Sequence, residues 1–143
     1  MTDSIATARR MAFAAALLFL SGGLTGIPLA LAETSALDAD PGAFMAAHLN
    51  ALMGAFWLLG AGWSLAHTRL GPRGLAWMYR LLLTAAYANW FVTALKAFWR
   101  VRGVSFTGDA RNDTIAALLN ALVVLPTLAG CALWAWGLRP QRA

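Results

Sequence analysis

The chain has 143 residues, of which 60% are hydrophobic and only 12% charged, with a mean hydropathy of +0.63. Soluble domains carry nearer 25% charged residues, so this composition excludes an ordinary water-soluble domain and describes an all-α, polytopic membrane protein. The net charge of +5 and pI near 10.7 invite a nucleic-acid reading, but the basic residues sit at segment ends instead of along a helix face, which suits lipid headgroups and membrane topology.

The pattern predicts a single membrane domain over residues 1–143, a bundle of four transmembrane helices at about 11–32, 42–67, 74–99 and 113–138. A polar lead ending in Arg9 and Arg10 precedes the first apolar run. This also has the form of a secretory signal, but its length and the three similar segments that follow favour a first transmembrane helix. Gly22 and Gly26 form a small-xxx-small pair that would let another helix approach, and Pro28 would bend the last turns. The connection to the second helix is acidic, with Glu33, Asp38 and Asp40, and places Asp40 to cap that helix with Pro41 in its first turn.

The second helix holds the one histidine set inside an apolar segment, His48. Helical spacing puts His48 with Phe44, Ala51, Leu52 and Ala55, and Asn50 on the other side with Ala46, Gly54 and Trp57. One polar group could then face a site and the other a neighbouring helix. Gly71-Pro72 ends the turn that follows, where His67 is an interfacial residue and a Ser64–His67 dyad a weak candidate.

On the third helix Asn89, Thr93 and Lys96 form a polar stripe flanked by Tyr87 and Trp90, suited either to inter-helix hydrogen bonds or to a ligand. Arg80 and Lys96 can snorkel to opposite interfaces. The loop RVRGVSFTGDARND could simply join helices or fold over a cavity mouth. In the fourth helix Asp113 is a first-turn residue or cap, Asn120 and Thr127 share a face, Pro126 predicts a kink, and Trp134 and Trp136 mark the interface. Cys131 reads as a small buried residue.

Four crossings leave both termini on one side. That side carries Arg9, Arg10, Arg69, Arg73, Arg80, Arg139 and Arg142 against Asp3; the other carries Lys96, Arg100, Arg102 and Arg111 against five carboxylates, Glu33, Asp38, Asp40, Asp109 and Asp113. The bias predicts a bacterial-type inner membrane protein with cytoplasmic termini.

An imidazole in hydrocarbon needs a partner: a neighbouring helix, a transferable proton or a metal. Neutral imidazole is a good ligand for haem iron, and the absence of Cys-x-x-Cys-His excludes the usual covalent attachment. With one intramembrane histidine, such a haem would be five-coordinate. Paired intramembrane carboxylates, zinc spacings, phosphate loops and nucleophile elbows are missing, and no internal repeat supports a transporter. Small-residue surfaces favour a homo-oligomer.

The segments AHLNALMGAFWLL at 47–59 and YANWFVTAL at 87–95, with the Gly22 to Pro28 pattern, resemble hydroxylaminobenzene mutases, membrane proteins that rearrange an arylhydroxylamine to an aminophenol. The architecture is also similar to styrene oxide isomerase, which rearranges an aryl epoxide to an aldehyde, and RGVSFTG at 102–108 resembles its loop before the fourth helix. The second resemblance implies a homotrimer with ferric haem b between subunits, His48 as axial ligand to the iron, and Asn89 as the matching helix-three asparagine. Two positions depart from that pattern: Gly54 stands where the family has an asparagine, and Thr93 where it has a tyrosine. Asn50 and Tyr87 are the residues that could compensate. The expectation is therefore a membrane isomerase acting on a small aromatic substrate, with Asn89, Tyr87, Asn50 and Thr93 as its polar site residues and His48 holding the haem. The mutase reaction is the first expectation, with epoxide isomerisation or a non-catalytic membrane haem protein as alternatives.

Overall fold

A computed structural model describes residues 2–140. The expected charges at Arg142 and Asp3 fall, respectively, outside the described residues and on a residue whose side chain is not described. The helices are α1 (Thr2–Glu33), α2 (Pro41–Ser64), α3 (Pro72–Trp99), α4 (Ala110–Leu118) and α5 (Leu125–Leu138). A π-helical stretch, Leu119–Val124, joins α4 to α5, so that Ala110–Leu138 forms one fourth span. Among the described residues these make four helices long and apolar enough to cross a membrane.

The helix ends follow from local residue chemistry. Asp40 caps α2, its carboxylate accepting from Ala43 N at 3.2 Å, with Pro41 in the first turn. Gly71 and Pro72 start α3. α1 begins earlier than expected, because the polar lead continues the helix. The second helix ends at Ser64 and tightens into a 3₁₀ turn, Leu65–His67. Asp109, not Asp113, caps α4, accepting from Asn112 N at 2.7 Å; Asp113 lies in the first turn.

Lipid provides no hydrophobic drive between helices, so close packing depends on small residues. α2 presents Ala51, Ala55 and Ala61, all fully buried, against Met11, Ala14, Ala15 and Leu18 of α1. At Gly22 a Cβ would stand 3.0 Å from Ala51 Cβ, so the glycine sets the α1–α2 approach; Gly26 faces open space and takes no part in it. α3 packs against α1, α2 and the fourth span. α2 meets α5 at one end, where Trp134 Nε1 donates to Ser64 Oγ at 2.7 Å. Further along, the two helices leave a gap over α3.

Pro126 does not simply kink the fourth span. It is preceded by the π turn, in which Leu125 N–H bonds to Asn120 O. The wider turn shifts the register, so Asn120 points outward and donates to Ala116 O at 2.8 Å, while Thr127 turns inward.

The loop before α4 is built on α4 itself. Asn112, buried, accepts from Gly103 N at 2.8 Å and donates to Ser105 O at 2.7 Å, and Asp113 accepts from Thr107 N and Gly108 N at 2.8 and 3.1 Å. Gly103 has φ +62°, and a Cβ there would lie 2.1 Å from Ile115 Cγ2; Gly108 has φ +86° with nothing nearby. Gly103→Ala should therefore destabilise the protein by more than the ~1 kcal/mol expected of the left-handed backbone alone, and Gly108→Ala by about that amount. Thermal unfolding of both variants in one detergent checks the order.

Candidate active site

The two sides of α2 predicted from helical spacing are realised as two different sites. Asn50 turns toward α3 and spends both amide hydrogens there, donating to Asn89 Oδ1 and Thr93 Oγ1, each at 3.2 Å. Three of the expected residues thus converge. With its Oδ1 held, Asn89 directs Nδ2 away from Asn50, and that nitrogen has no protein partner among the described residues while not being buried. Amide orientation here follows from the hydrogen-bond network.

Asn50 and Asn89 line a cavity of about 430 Å³ in the gap between α2, α3 and the fourth span. Met53, Gly54, Trp57 and Val123 give it an apolar wall, with Thr127 and Cys131 opposite. Trp57 belongs to the Asn50 side, as expected. Thr127 and Cys131 are lining residues that the sequence does not mark as a site. Their spacing of four, together with Val123, places them on one face, but nothing in the sequence tells that this face meets α3. Cys131 is half-buried in the wall.

Gly54 marks one of the two departures from the family pattern. A Cβ there would stand 3.1 Å from Leu18 Cδ2 and 3.3 Å from Ala86 Cβ, so an asparagine side chain would displace its neighbours. The nearest amide on this side of α2 is that of Asn50, one turn earlier and about 6 Å along the axis. Thr93 is 5% exposed and bonded to Asn50; it supports the pair from behind.

Tyr87 is not brought to this cluster. Its hydroxyl donates to Ala14 O at 2.7 Å across the α1–α3 contact, and Trp90 Nε1 donates to Thr25 Oγ1 at 2.9 Å on the same side. Lys96 lines a separate cavity of about 300 Å³ with Asp40 and Arg102. Ser64 Oγ donates to Ala61 O and accepts from Trp134, while His67 is exposed beside the Trp63 ring, so the two form no dyad.

His48 faces α1. Its Nδ1 lies 2.7 Å from Gly22 O, and because a carbonyl can only accept, Nδ1 donates there and Nε2 is the ring nitrogen directed away from α1. The ring is half-buried at the outer surface of the α1–α2 pair, near the exposed Met45 and Leu49. Histidines that bind metals commonly donate their second nitrogen to a carbonyl in this way. Among the described residues no three His, Cys, Asp or Glu side chains converge, and one axial histidine requires no such cluster.

A family model described as styrene oxide isomerase matches residues 7–139. The chain belongs to the styrene oxide isomerase family. No match was found among curated proteins or among solved structures. Membership assigns an isomerase-type activity, and the match covers all four spans and the loop before α4.

The Asn50 bridge predicts non-additive stabilities. In a double-mutant cycle of Asn50→Ala and Asn89→Ala the coupling should be about 0.6 to 1.7 kcal/mol, the range measured for hydrogen bonds between membrane helices. Denaturant titration in mixed micelles checks it.

Proposed function

We propose that this protein rearranges a small aryl epoxide to the isomeric aldehyde inside the cavity lined by Asn50 and Asn89. The observation that carries the reading is the unpaired Asn89 amide, pinned from behind and facing an apolar cavity, in a chain of the styrene oxide isomerase family. Family membership favours this reaction over the hydroxylamine rearrangement that was the first expectation. A volume of about 430 Å³ suits a substrate of this size.

The reaction conserves atoms. The benzylic C–O bond breaks, hydride moves to the carbon that lost oxygen, and the oxygen becomes the carbonyl of the aldehyde. Negative charge grows on oxygen and positive charge on the benzylic carbon. Asn89 Nδ2 donates to the oxygen as that charge develops, and its orientation is prepaid by the bonds from Asn50 to Asn89 and Thr93. The Trp57 ring lies in the same wall, where its π face can stabilise the cationic carbon. The apolar wall keeps out water that would otherwise trap the cation as a diol.

We propose further that His48 would hold a haem b through Nε2, with Nδ1 tied to the Gly22 carbonyl. When bound, ferric haem supplies Lewis acidity toward the substrate oxygen. His48 and Asn50 leave α2 on opposite sides, so a haem on one chain and the cavity of the same chain are directed apart. This arrangement supports a homo-oligomer, for which the proposed form is a trimer. The proposed orientation, with cytoplasmic termini, is tested by terminal reporter fusions; an external terminus would overturn it.

Asn89→Leu should lower kcat for styrene oxide by about 10²–10³ while the protein still folds, the loss expected for one donor to a developing oxyanion. His48→Ala should abolish the Soret band of purified protein and most turnover. Parallel assays with phenylhydroxylamine distinguish the two rearrangements by product: aminophenol without aldehyde would reverse the choice made here. Full turnover and normal haem content in His48→Ala would overturn the axial assignment.

A further inference from the structure

Away from the Asn89 cavity, a groove runs between α1 and α3. Two cavities of about 440 and 460 Å³ adjoin along it, and Arg10 and Tyr79 line both. The inner part is walled by Phe13, Leu17 and Leu83 and ends at Tyr87; the outer part is bounded by Arg10, Arg80 and Thr7.

Both arginines lie about two turns inside their helices, and neither has a carboxylate partner among the described residues. The one ion pair there, Arg100–Asp38, joins other elements. Arg80 rests against Trp77, its Cζ 5.7 Å from the ring centroid. Two exposed cations with no carboxylate partner among the described residues, side by side where the helices leave the hydrocarbon, favour an anion at the headgroup level. Free phosphate would answer the charges but leave the apolar slot empty, and a neutral lipid would fill the slot but leave the charges.

We propose that the α1–α3 groove is a binding site for one anionic phospholipid, with its phosphate held by Arg10, Arg80 and the Tyr79 hydroxyl and an acyl chain in the slot that ends at Tyr87. The lipid would pack on the contact where Tyr87 is bonded to Ala14 O, and so stiffen α1 against α3.

The test uses the delipidated full-length protein in detergent, with phosphatidylglycerol, phosphatidylcholine or inorganic phosphate added at matched concentration. Thermal unfolding and bound lipid by native mass spectrometry are the readouts. Phosphatidylglycerol should be retained and protective, and the other two should not. At roughly fivefold in affinity per basic residue near anionic lipid, the double variant Arg10→Gln/Arg80→Gln should weaken phosphatidylglycerol binding about 25-fold. Arg9→Gln/Arg73→Gln removes the same charge elsewhere on that side and should retain it. Leu83→Trp should block the slot with both arginines in place. Equal binding of phosphatidylcholine, equal protection by phosphate, equal loss in the two arginine pairs, or full retention by Leu83→Trp would each overturn the proposal. If an arginine pair fails to fold, the wild-type lipid ranking and Leu83→Trp decide.

Discussion

A polar side chain inside a bilayer must find its partner within the protein, because hydrocarbon offers none. In this chain that requirement determines how the helices meet. His48 bonds to the Gly22 carbonyl, Tyr87 to the Ala14 carbonyl, Trp90 to Thr25, and Asn50 to Asn89 and Thr93. Among the described residues no buried side-chain nitrogen or oxygen is left without a partner. Each bond contributes modestly, about 0.6 kcal/mol on average, so its larger effect is on geometry. A slip along α2 that kept the alanine packing would leave Asn50 unpaired in hydrocarbon. The same bond leaves the Asn89 amide directed into the cavity.

α3 divides these roles between its sides. Tyr87 and Trp90 lock it to α1, and the groove beside that contact ends at Tyr87. Asn89 and Thr93 meet α2 and look toward the fourth span. The cavity exists because α2 and α5 join at the Ser64–Trp134 end and then diverge. The π turn before Pro126 contributes by aligning Val123, Thr127 and Cys131 along the wall while sending Asn120 outward. A proline lacks the N–H that a regular turn needs, and the wider turn absorbs that irregularity where the cavity is formed.

Much of this was legible in the sequence because helical period is a local property. The division of α2 into a His48 side and an Asn50 side followed from spacing alone, and the cap at Asp40 and the helix start at Gly71-Pro72 from residue type. The convergence of Asn50 with Asn89 and Thr93 was not legible, since it depends on which helices are neighbours and at what height. Tyr87 is instructive: it reads as flanking the Asn89 stripe, yet two positions before Asn89 it lies about 200° around the helix, and its hydroxyl turns to α1. Family likeness made it a candidate nonetheless. Asn120 failed for a different reason, because the expected register assumed an uninterrupted α-helix through Pro126.

The separation of His48 from Asn89 gives the proposed chemistry its most demanding constraint. A histidine tied to α1 presents its second nitrogen at the outer surface, whereas the amide donor opens into the gap on the far side of α2. Neither can be rotated toward the other without breaking the bonds that hold α2 to its two neighbours. If both groups act on one substrate, the reacting centre is assembled between copies, and the exposed Met45 and Leu49 beside His48 become contact surface. The bonds that make each chain rigid are then also what makes a single chain chemically incomplete.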